Sequence, residues 1–471
     1  MTERRLLLAA VAAYAAGFGA LSVLRHRSFE TGRFDLGNMV QAVWSTAHGD
    51  PLEVTNLAGE QTSRLASHVD PILVLFAPLW LVWPSPSMLL VVQSVAIALG
   101  ALPVFWLARK HLASPRAGLG FALAYLLYPA TQWVTLSEFH PVALACPLLL
   151  FAFWYLDEDR LVPFAVFAIL ASLTKEEVPL AVAGLGAWYA LARRRRVAGA
   201  VIALAGIAAA AIAVGVVQPH FGEGGDPFAG RYDEVGGSVG GILKTAATDP
   251  LTLFRVAFDE RGLGYLVRLL LPLAFLPLGS PLALLPALPD LALNLLSSTR
   301  TQTSIHFHYT APLIPAFFAA AIFTAAKVRR NVAPLLVVLM LVANFALGAI
   351  PAWAWIPGGE DLQARSALVS EHDRIAERAL ELIPSDAVVS ASNSLGAHLS
   401  ARRRFLSFPV RADAQWIAVD ERSPGYLDRI APGPYRIAIR RLRADPRWRV
   451  VFDDDGVLVF RRESSAGAGT P

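Results

Sequence analysis

The sequence predicts a mainly α-helical protein, a polytopic membrane bundle of about 11 transmembrane helices followed by a C-terminal extracytoplasmic α/β domain. Three observations predict it. Of 471 residues, 55% are hydrophobic and 17% charged, and the mean hydropathy is +0.49; ordinary soluble domains carry about 25% charged residues. So few charges cannot solvate the surface of a chain this long, and lipid must be its solvent over much of its area. The charges are also unevenly placed, because residues 361–471 hold 17 Arg and 15 Asp or Glu while the preceding 360 residues hold the rest. Finally, apolar windows near spanning length recur throughout residues 1–352. The expected domains are a transmembrane domain over 1–352, a soluble α/β domain over 353–463, and a disordered tail over 464–471.

The spanning windows lie, in order, at 6–24, 86–108, 114–131, 141–156, 161–174, 178–192, 198–217, 263–279, 281–295, 309–326 and 333–352. The first follows Arg4 and Arg5 and lacks a cleavage site, so it reads as an uncleaved helix rather than a signal peptide. The run 71–83 is shorter, bounded by His68, Asp70 and Pro84, and suits an interfacial or re-entrant helix. Short loops rich in Arg and Lys set orientation. Arg4 and Arg5, Arg109 to Arg116, 157–160, 193–196, and Lys327 with Arg329 and Arg330 all fall on one side, which is then cytoplasmic. The N-terminus is therefore expected inside and the C-terminal domain outside. The opposite face collects the first loop 25–70, the segments 137–141 and 174–179, the long loop 218–262 and the segment 297–309.

The C-terminal domain alternates α and β: a helix over 361–383, strand AVVSAS, short helix SLGAHLS, strands RRFLSF and QWIAVD, and a helix near 435–444. It closes with the hairpin WRVVFDDDGVLVF, turning at Asp-Gly. The net charge of +4, with no basic patch interleaved with aromatics, excludes a nucleic-acid partner. The single Cys146 excludes a disulfide framework and a Cys-based metal site. The glycines of FGEGGDPFAGRYDEVGG match neither a P-loop nor a dinucleotide fingerprint, and this stretch reads as a flexible loop or lid.

Charged and polar groups beside apolar runs are the functional candidates. Asp35 begins an amphipathic stretch, with Phe34, Leu36, Met39, Val40, Val43 and Trp44 on one helical face. Two readings stand for it: an N-cap, or a general base whose partial burial raises its pKa toward working pH. SHVDP supplies His68 and Asp70; LSEFHP places Glu138 and His140 at the outer end of a span. SLTKEEVP sets a rare Lys175 and the adjacent Glu176 and Glu177 between two apolar runs with almost no loop to solvate them. They are either a packing pair or a site where Lys175 grips a lipid phosphate and a glutamate binds sugar hydroxyls or a cation. Adjacent positions point about 100° apart on a helix, so one neighbouring helix cannot satisfy all three; they are expected to face a polar cavity shared with Asp35. SSTRTQTSIHFHYTAP carries Arg300, His306, His308 and Tyr309, which suit either a phosphate clamp or an aromatic-belt entry.

The strings FDLGNMVQ, SHVDPILVLFAP, EFHP, TKEE and HFHY together resemble the predicted-membrane-protein family numbered 2079 among domains of unknown function, over residues 5–460. The architecture, with an Asp beside an aromatic in a long first loop, is similar to the GT-C superfamily of polyprenyl-phosphate-sugar glycosyltransferases. Members of that superfamily often show an acidic pair in this loop, whereas Asp35 is followed by Leu36. The resemblance implies a GT-C-like transmembrane domain and transfer of a sugar from a polyprenyl-phosphate donor to an envelope glycan, lipid or protein on the extracytoplasmic face. It also implies that Asp35 deprotonates the acceptor hydroxyl. Cofactors are left open; a divalent cation on Glu138 and His140 with Asp35 or His68 is one option. The competing functions are a transporter or flippase of a lipid-linked sugar, and a non-catalytic membrane protein whose tail binds envelope polymers. Transporters usually show repeated halves and binding residues near mid-membrane, and neither pattern is visible here.

Overall fold

A computed structural model describes residues 2–222, 229–328, 332–360 and 368–463. Arg329, Arg330, the start of the 361–383 helix, part of the glycine-rich stretch and the tail 464–471 lie outside the described residues. The chain forms two compact units: Met1–Ala20, Leu65–Ile72 and Val91–Ala364 in the first, and Leu21–Arg64, Leu73–Leu90 and Arg365–Pro471 in the second.

The apolar windows become helices, and prolines decide where they break. Among the described residues, Thr2–Arg27, Pro86–His111 and Arg196–Phe221 are long and apolar enough to cross a membrane. Shorter apolar helices cover Pro71–Val82, Pro141–Asp157, Leu161–Ser172, Val178–Leu191, Pro281–Leu296, Ile314–Val328 and Ala333–Leu347. The window 114–131 forms helix Pro115–Leu127 and then restarts as Pro129–Leu136, because Pro129 supplies no N–H to continue the ladder. Helices Val178–Leu191 and Arg196–Ile212 pack so closely that a Cβ added at Gly186 would lie 2.5 Å from Ala203 N. Glycine permits that approach, the usual device for packing helices in lipid.

Two expectations need correction. The window 263–279 is not one span. Helix Glu260–Leu270 ends there, Ala274 and Phe275 adopt left-handed backbone angles (φ 51° and 54°), and short 3-10 turns follow to Gly279. Pro272 and Pro277 break the ladder in a run that hydropathy alone reads as continuous. The loop 218–262 is not featureless either. Ser238, Asp249 and Asp259 each accept a backbone N–H, from Gly241, Thr252 and Gly262, and so cap helices Val239–Thr248, Pro250–Ala257 and Glu260–Leu270. These caps are legible in the sequence as Ser or Asp ahead of each apolar pattern.

Helices 145–157, 161–172 and 178–191 run up and down, so their connections gather at two ends. At one end Asp157, 1% exposed, receives Lys110 Nζ at 2.7 Å, His111 Nε2 at 2.8 Å and Arg193 at 3.5 Å. Lys110 also meets Glu158 at 2.5 Å, and Arg195 meets Asp159 at 3.0 Å. The charged segments expected together on one side, 109–116, 157–160 and 193–196, thus meet in one ion-pair knot. The other end carries residues 138–141 and 174–177.

The second unit is an α/β fold. Strands β1 (Glu53–Thr55) and β2 (Gln61–Ser63) form an antiparallel hairpin. Strands β3 (Val389–Ala391), β4 (Phe405–Ser407), β5 (Trp416–Asp420), β6 (Trp448–Asp454) and β7 (Val457–Arg462) form a sheet of order β4-β3-β5-β7-β6. β3 pairs in parallel with β4 and β5, while β5-β7 and β6-β7 are antiparallel. The final hairpin turns at Asp455 and Gly456, both with positive φ (46° and 84°), as an Asp-Gly turn requires. One face buries Val389, Phe405, Ala418 and Val459 with helix Glu371–Leu380; the other buries Leu406, Ile417 and Phe460 with helix Pro432–Arg443. First-loop residues belong to this unit: Gln41 Nε2 donates to Thr55 Oγ1 (3.0 Å), Arg402 O (3.2 Å) and Arg403 O (3.1 Å). Buried Arg33 donates to Thr55 O and, at 3.5 Å, to Phe405 O.

His372 Nε2 lies 2.9 Å from Asp420 and Nδ1 lies 2.9 Å from Asp455. Burial lowers the imidazole pKa, but the two carboxylates outweigh it and raise the pKa above its ordinary value. A raised folded-state pKa contributes stability that is complete below the unfolded value of about 6.5 and is lost as pH climbs through the folded one. Amide exchange in helix Glu371–Leu380 is therefore expected to accelerate, beyond the intrinsic rate, as pH rises above about 6.5. His372→Gln should abolish that excess, and protection that is flat with pH in the unsubstituted protein would overturn the assignment.

Candidate functional site

The first unit contains a cavity of about 220 Å³ lined by His68, Lys175, Glu176, Glu177, Asp290 and Tyr309 among others. It forms because the turn 173–177 follows helix Leu161–Ser172 with no room for a solvated loop, and the first loop ends against it. Ile72 N donates to Leu173 O at 3.0 Å, which fixes the two segments together. Glu176 then joins the SHVDP and TKEE motifs: Oε1 lies 2.9 Å from His68 Nδ1, and Oε2 accepts Val69 N at 2.9 Å. Lys175 Nζ donates to Glu177 Oε1 at 2.5 Å and sits 5.7 Å above the Tyr309 ring. His308 stacks on His140 at 3.7 Å and lies tilted against the Tyr309 ring at 4.2 Å.

The electrostatics favour a charged occupant. Burial resists charge on Lys175, yet Glu177 and Glu176 raise its pKa, so it stays an ammonium. Burial pushes Glu176 up, but His68 and Lys175 outweigh it and hold it ionised. Glu177 goes the other way, lifted by burial and by Glu176 despite Lys175. Burial, then His140, Lys175, His68 and Arg231, depress His308, which is therefore neutral and can accept or donate a hydrogen bond. His308 Nδ1 and Asp290 Oδ2 are buried without a hydrogen-bond partner among the described residues. The cavity thus brings cationic and carboxylate side chains around one space, with His308 packed behind Tyr309 at its edge.

The other sequence candidates are placed less centrally. Glu138 has a left-handed backbone (φ 61°), and buried Gln93 braces that turn, donating to Glu138 O at 2.5 Å and accepting His140 N at 3.0 Å. Gln93 thereby aims His140 at His308. Asp70 is buried. His306 turns away to Trp133 (4.7 Å) and to Ser304 Oγ (3.0 Å), and Arg300 is exposed; neither lines the cavity. Asp35 belongs to the second unit, half-buried within the helical turn Arg33–Gly37. Gly32 holds the N-cap position of that turn, so Asp35 is not its cap. Among the described residues no three His, Cys, Asp or Glu groups converge as metal ligands.

Several lining residues were not singled out in the sequence. Asp290 and Asn294 lie one turn apart on helix Leu288–Leu296, and Asn294 Nδ2 donates to Tyr265 Oη (3.2 Å) and Tyr309 O (3.0 Å). A lone Asp within an apolar window is itself a functional signal. Arg231 and Tyr232 come from the 3-10 segment Ala229–Val235 and Gln302 from a turn, held by Ser298 N donating to Arg231 O at 2.7 Å and Gln302 Nε2 donating to Tyr232 Oη at 3.4 Å. Nothing local in the sequence marks them.

The sequence profile of a family described as a predicted membrane protein (DUF2079) matches residues 25–459. No curated protein matches the chain. Among solved structures, the chain is similar to ArnT from Cupriavidus metallidurans bound to undecaprenyl phosphate, with a TM-score of 0.53 and 14% identity over 98% of each chain. The same protein in the apo state gives a TM-score of 0.52 and 14% identity over 95% of this chain and 98% of that one. At this identity the likeness is one of fold, and the mainly helical architecture expected from the sequence is borne out across nearly the whole chain.

Proposed function

The chain belongs to the DUF2079 predicted membrane protein family, and from that premise we propose that it is a membrane glycosyltransferase using a polyprenyl-phosphate-sugar donor. The observation that carries this reading is the cavity where the SHVDP, TKEE and HFHY motifs converge on Lys175. ArnT, whose fold the chain shares, binds undecaprenyl phosphate, which supports a lipid phosphate as the anionic occupant. Lys175 is assigned the donor phosphate, with His68 and Arg231 beside it, and Glu177 and Asp290 are assigned the sugar hydroxyls.

Asp35 is assigned the general base, on the family resemblance. It takes the proton of the acceptor hydroxyl as that oxygen attacks the anomeric carbon. The bond from that carbon to the phosphate oxygen breaks, and the departing lipid phosphate keeps the electron pair and its negative charge. A positively charged group that stabilises this charge as it develops lowers the barrier. On this reading the N-terminus is cytoplasmic and the second unit's C-terminal part extracytoplasmic, so protease added to intact spheroplasts should reach the latter. The acceptor is an envelope glycan, lipid or protein.

The deciding experiment reconstitutes the protein in vesicles with radiolabelled polyprenyl-phosphate sugars and an envelope extract. Release of free lipid phosphate together with label in the acceptor supports transfer. Label that changes leaflet while still bound to lipid identifies a flippase instead.

A further inference from the structure

The second unit holds a polar crevice that the transfer reading does not use. In the order β4-β3-β5-β7-β6, the chain leaves β3 toward β4 on one side and leaves β5 toward β7 and β6 on the other. Adjacent parallel strands whose connections diverge in this way open a crevice beyond their carboxyl ends, where α/β sheets characteristically bind ligands. A cavity of about 420 Å³ lies in the segment that follows β5, lined by Arg422, Ser423, Asp428, Arg429, Tyr435 and Arg436. That volume is within the ordinary range for small-molecule sites, about 300–1,000 Å³.

The crevice is held open by buried polar contacts. Asp420, 2% exposed at the end of β5, accepts Arg422 N at 2.9 Å and Ser423 N at 2.8 Å through Oδ1. Asp428 Oδ2 accepts Asn393 N, just after β3, at 2.8 Å and Gly425 N at 3.1 Å. Ser394 Oγ donates to Ser423 O at 3.3 Å, and Tyr435 Oη donates to Asp420 O at 2.8 Å. The loops after β3 and β5 are thus tied to each other, and the floor is preorganised.

Its charge and surface select the ligand. Arg422 is paired with Asp455, and the lining's two carboxylates are both engaged: Glu421 with Arg443 at 3.2 Å, and Asp428 with the backbone N–H groups of Asn393 and Gly425. Arg429 and Arg436 form no ion pair among the described residues, and they project from successive helices, Tyr426–Ile430 and Pro432–Arg443. Two forked guanidiniums across one crevice suit a phosphate or carboxylate group. The apolar lining is confined to Pro424, Pro432 and the Tyr435 ring, too little for a lipid tail, while Ser423 and Asp428 offer partners for hydroxyls. We propose that this crevice binds an anionic carbohydrate, a sugar unit bearing a phosphate or a carboxylate. The proposal goes beyond the transfer reading and is measured without turnover.

The test titrates the full-length protein in lipid nanodiscs with glucose 6-phosphate, glucuronate, glucose and inorganic phosphate, observed by ligand-detected NMR. At least one anionic sugar is expected to bind at least about tenfold more tightly than both glucose and inorganic phosphate. Which anionic sugar binds distinguishes a phosphorylated glycan from a uronate-containing one. The exposed double variant Arg429→Ala/Arg436→Ala should weaken that binding by about ten- to a hundredfold, whereas Arg441→Ala, on the same helix outside the crevice, should not. Neither arginine lines the first unit's cavity. Glucose binding equally well, inorganic phosphate binding equally well, or a double variant that binds normally would each overturn the proposal.

Discussion

Asp35→Asn is expected to lower sugar transfer by about a hundred- to ten-thousandfold, the span general-base catalysis ordinarily supplies, while leaving the protein folded and inserted. The substitution keeps the volume of the side chain and removes its ability to take a proton. An Asn can replace an Asp as a helix cap with little loss, but the cap of this helical turn is Gly32. Capping therefore offers no reason for Asp35 to be an acid. Single-turnover release of lipid phosphate reads the chemical step, and the thermal midpoint reads the fold. Near-normal turnover would place the base elsewhere; lost turnover with a large fall in midpoint would make Asp35 structural.

The second large effect is expected at Lys175. Lys175→Met should weaken donor binding by about ten- to a hundredfold, the worth of one charge-assisted contact to phosphate. The complication is the 2.5 Å ion pair with Glu177, since removing one member of a buried pair strands the other and can cost about 3–5 kcal/mol. Two features reduce that cost here. The pair borders a cavity rather than packed side chains, and the Glu177 carboxyl is already lifted by burial and by Glu176, so it can take a proton. The double variant Lys175→Met/Glu177→Gln separates the readings. If the pair only holds helices together, the double variant regains the stability the single one lost, and donor binding is normal in both. If Lys175 holds phosphate, the double variant is stable and still binds donor weakly.

Much of this was legible because membrane helices and strand alternation are written in local pattern. The runs 141–156, 161–174 and 178–192 emerge within a few residues of where hydropathy put them, and Asp455-Gly456 marks its hairpin by turn chemistry. Three charges in TKEE with no loop to solvate them implied a polar cavity shared with Asp35; Lys175, Glu176 and Glu177 do line a cavity, and Asp35 is not among its lining residues. What local pattern cannot carry is convergence. His68 and Glu176 are 108 residues apart and meet at 2.9 Å, and His306 and His308, two residues apart, go to different partners. Hydropathy also misjudged 263–279, because a scale that sums transfer energies is blind to Pro272 removing a backbone donor. Asp290 was overlooked for the opposite reason: one carboxylate hardly alters the average of a long apolar window.

The ion-pair knot around Asp157 has a mechanical consequence. It ties the ends of helices 101–111, 145–157 and 178–191 to one another through Lys110, His111 and Arg193. Rods clamped at one end can splay only at the other, and their displacement grows with distance from the clamp. The free ends are those that carry His140 and the Lys175–Glu177 turn. Small tilts about the knot would therefore widen or narrow the cavity mouth while the anchored end stays still, which makes the anchored end a fulcrum and the cavity end its lever arm.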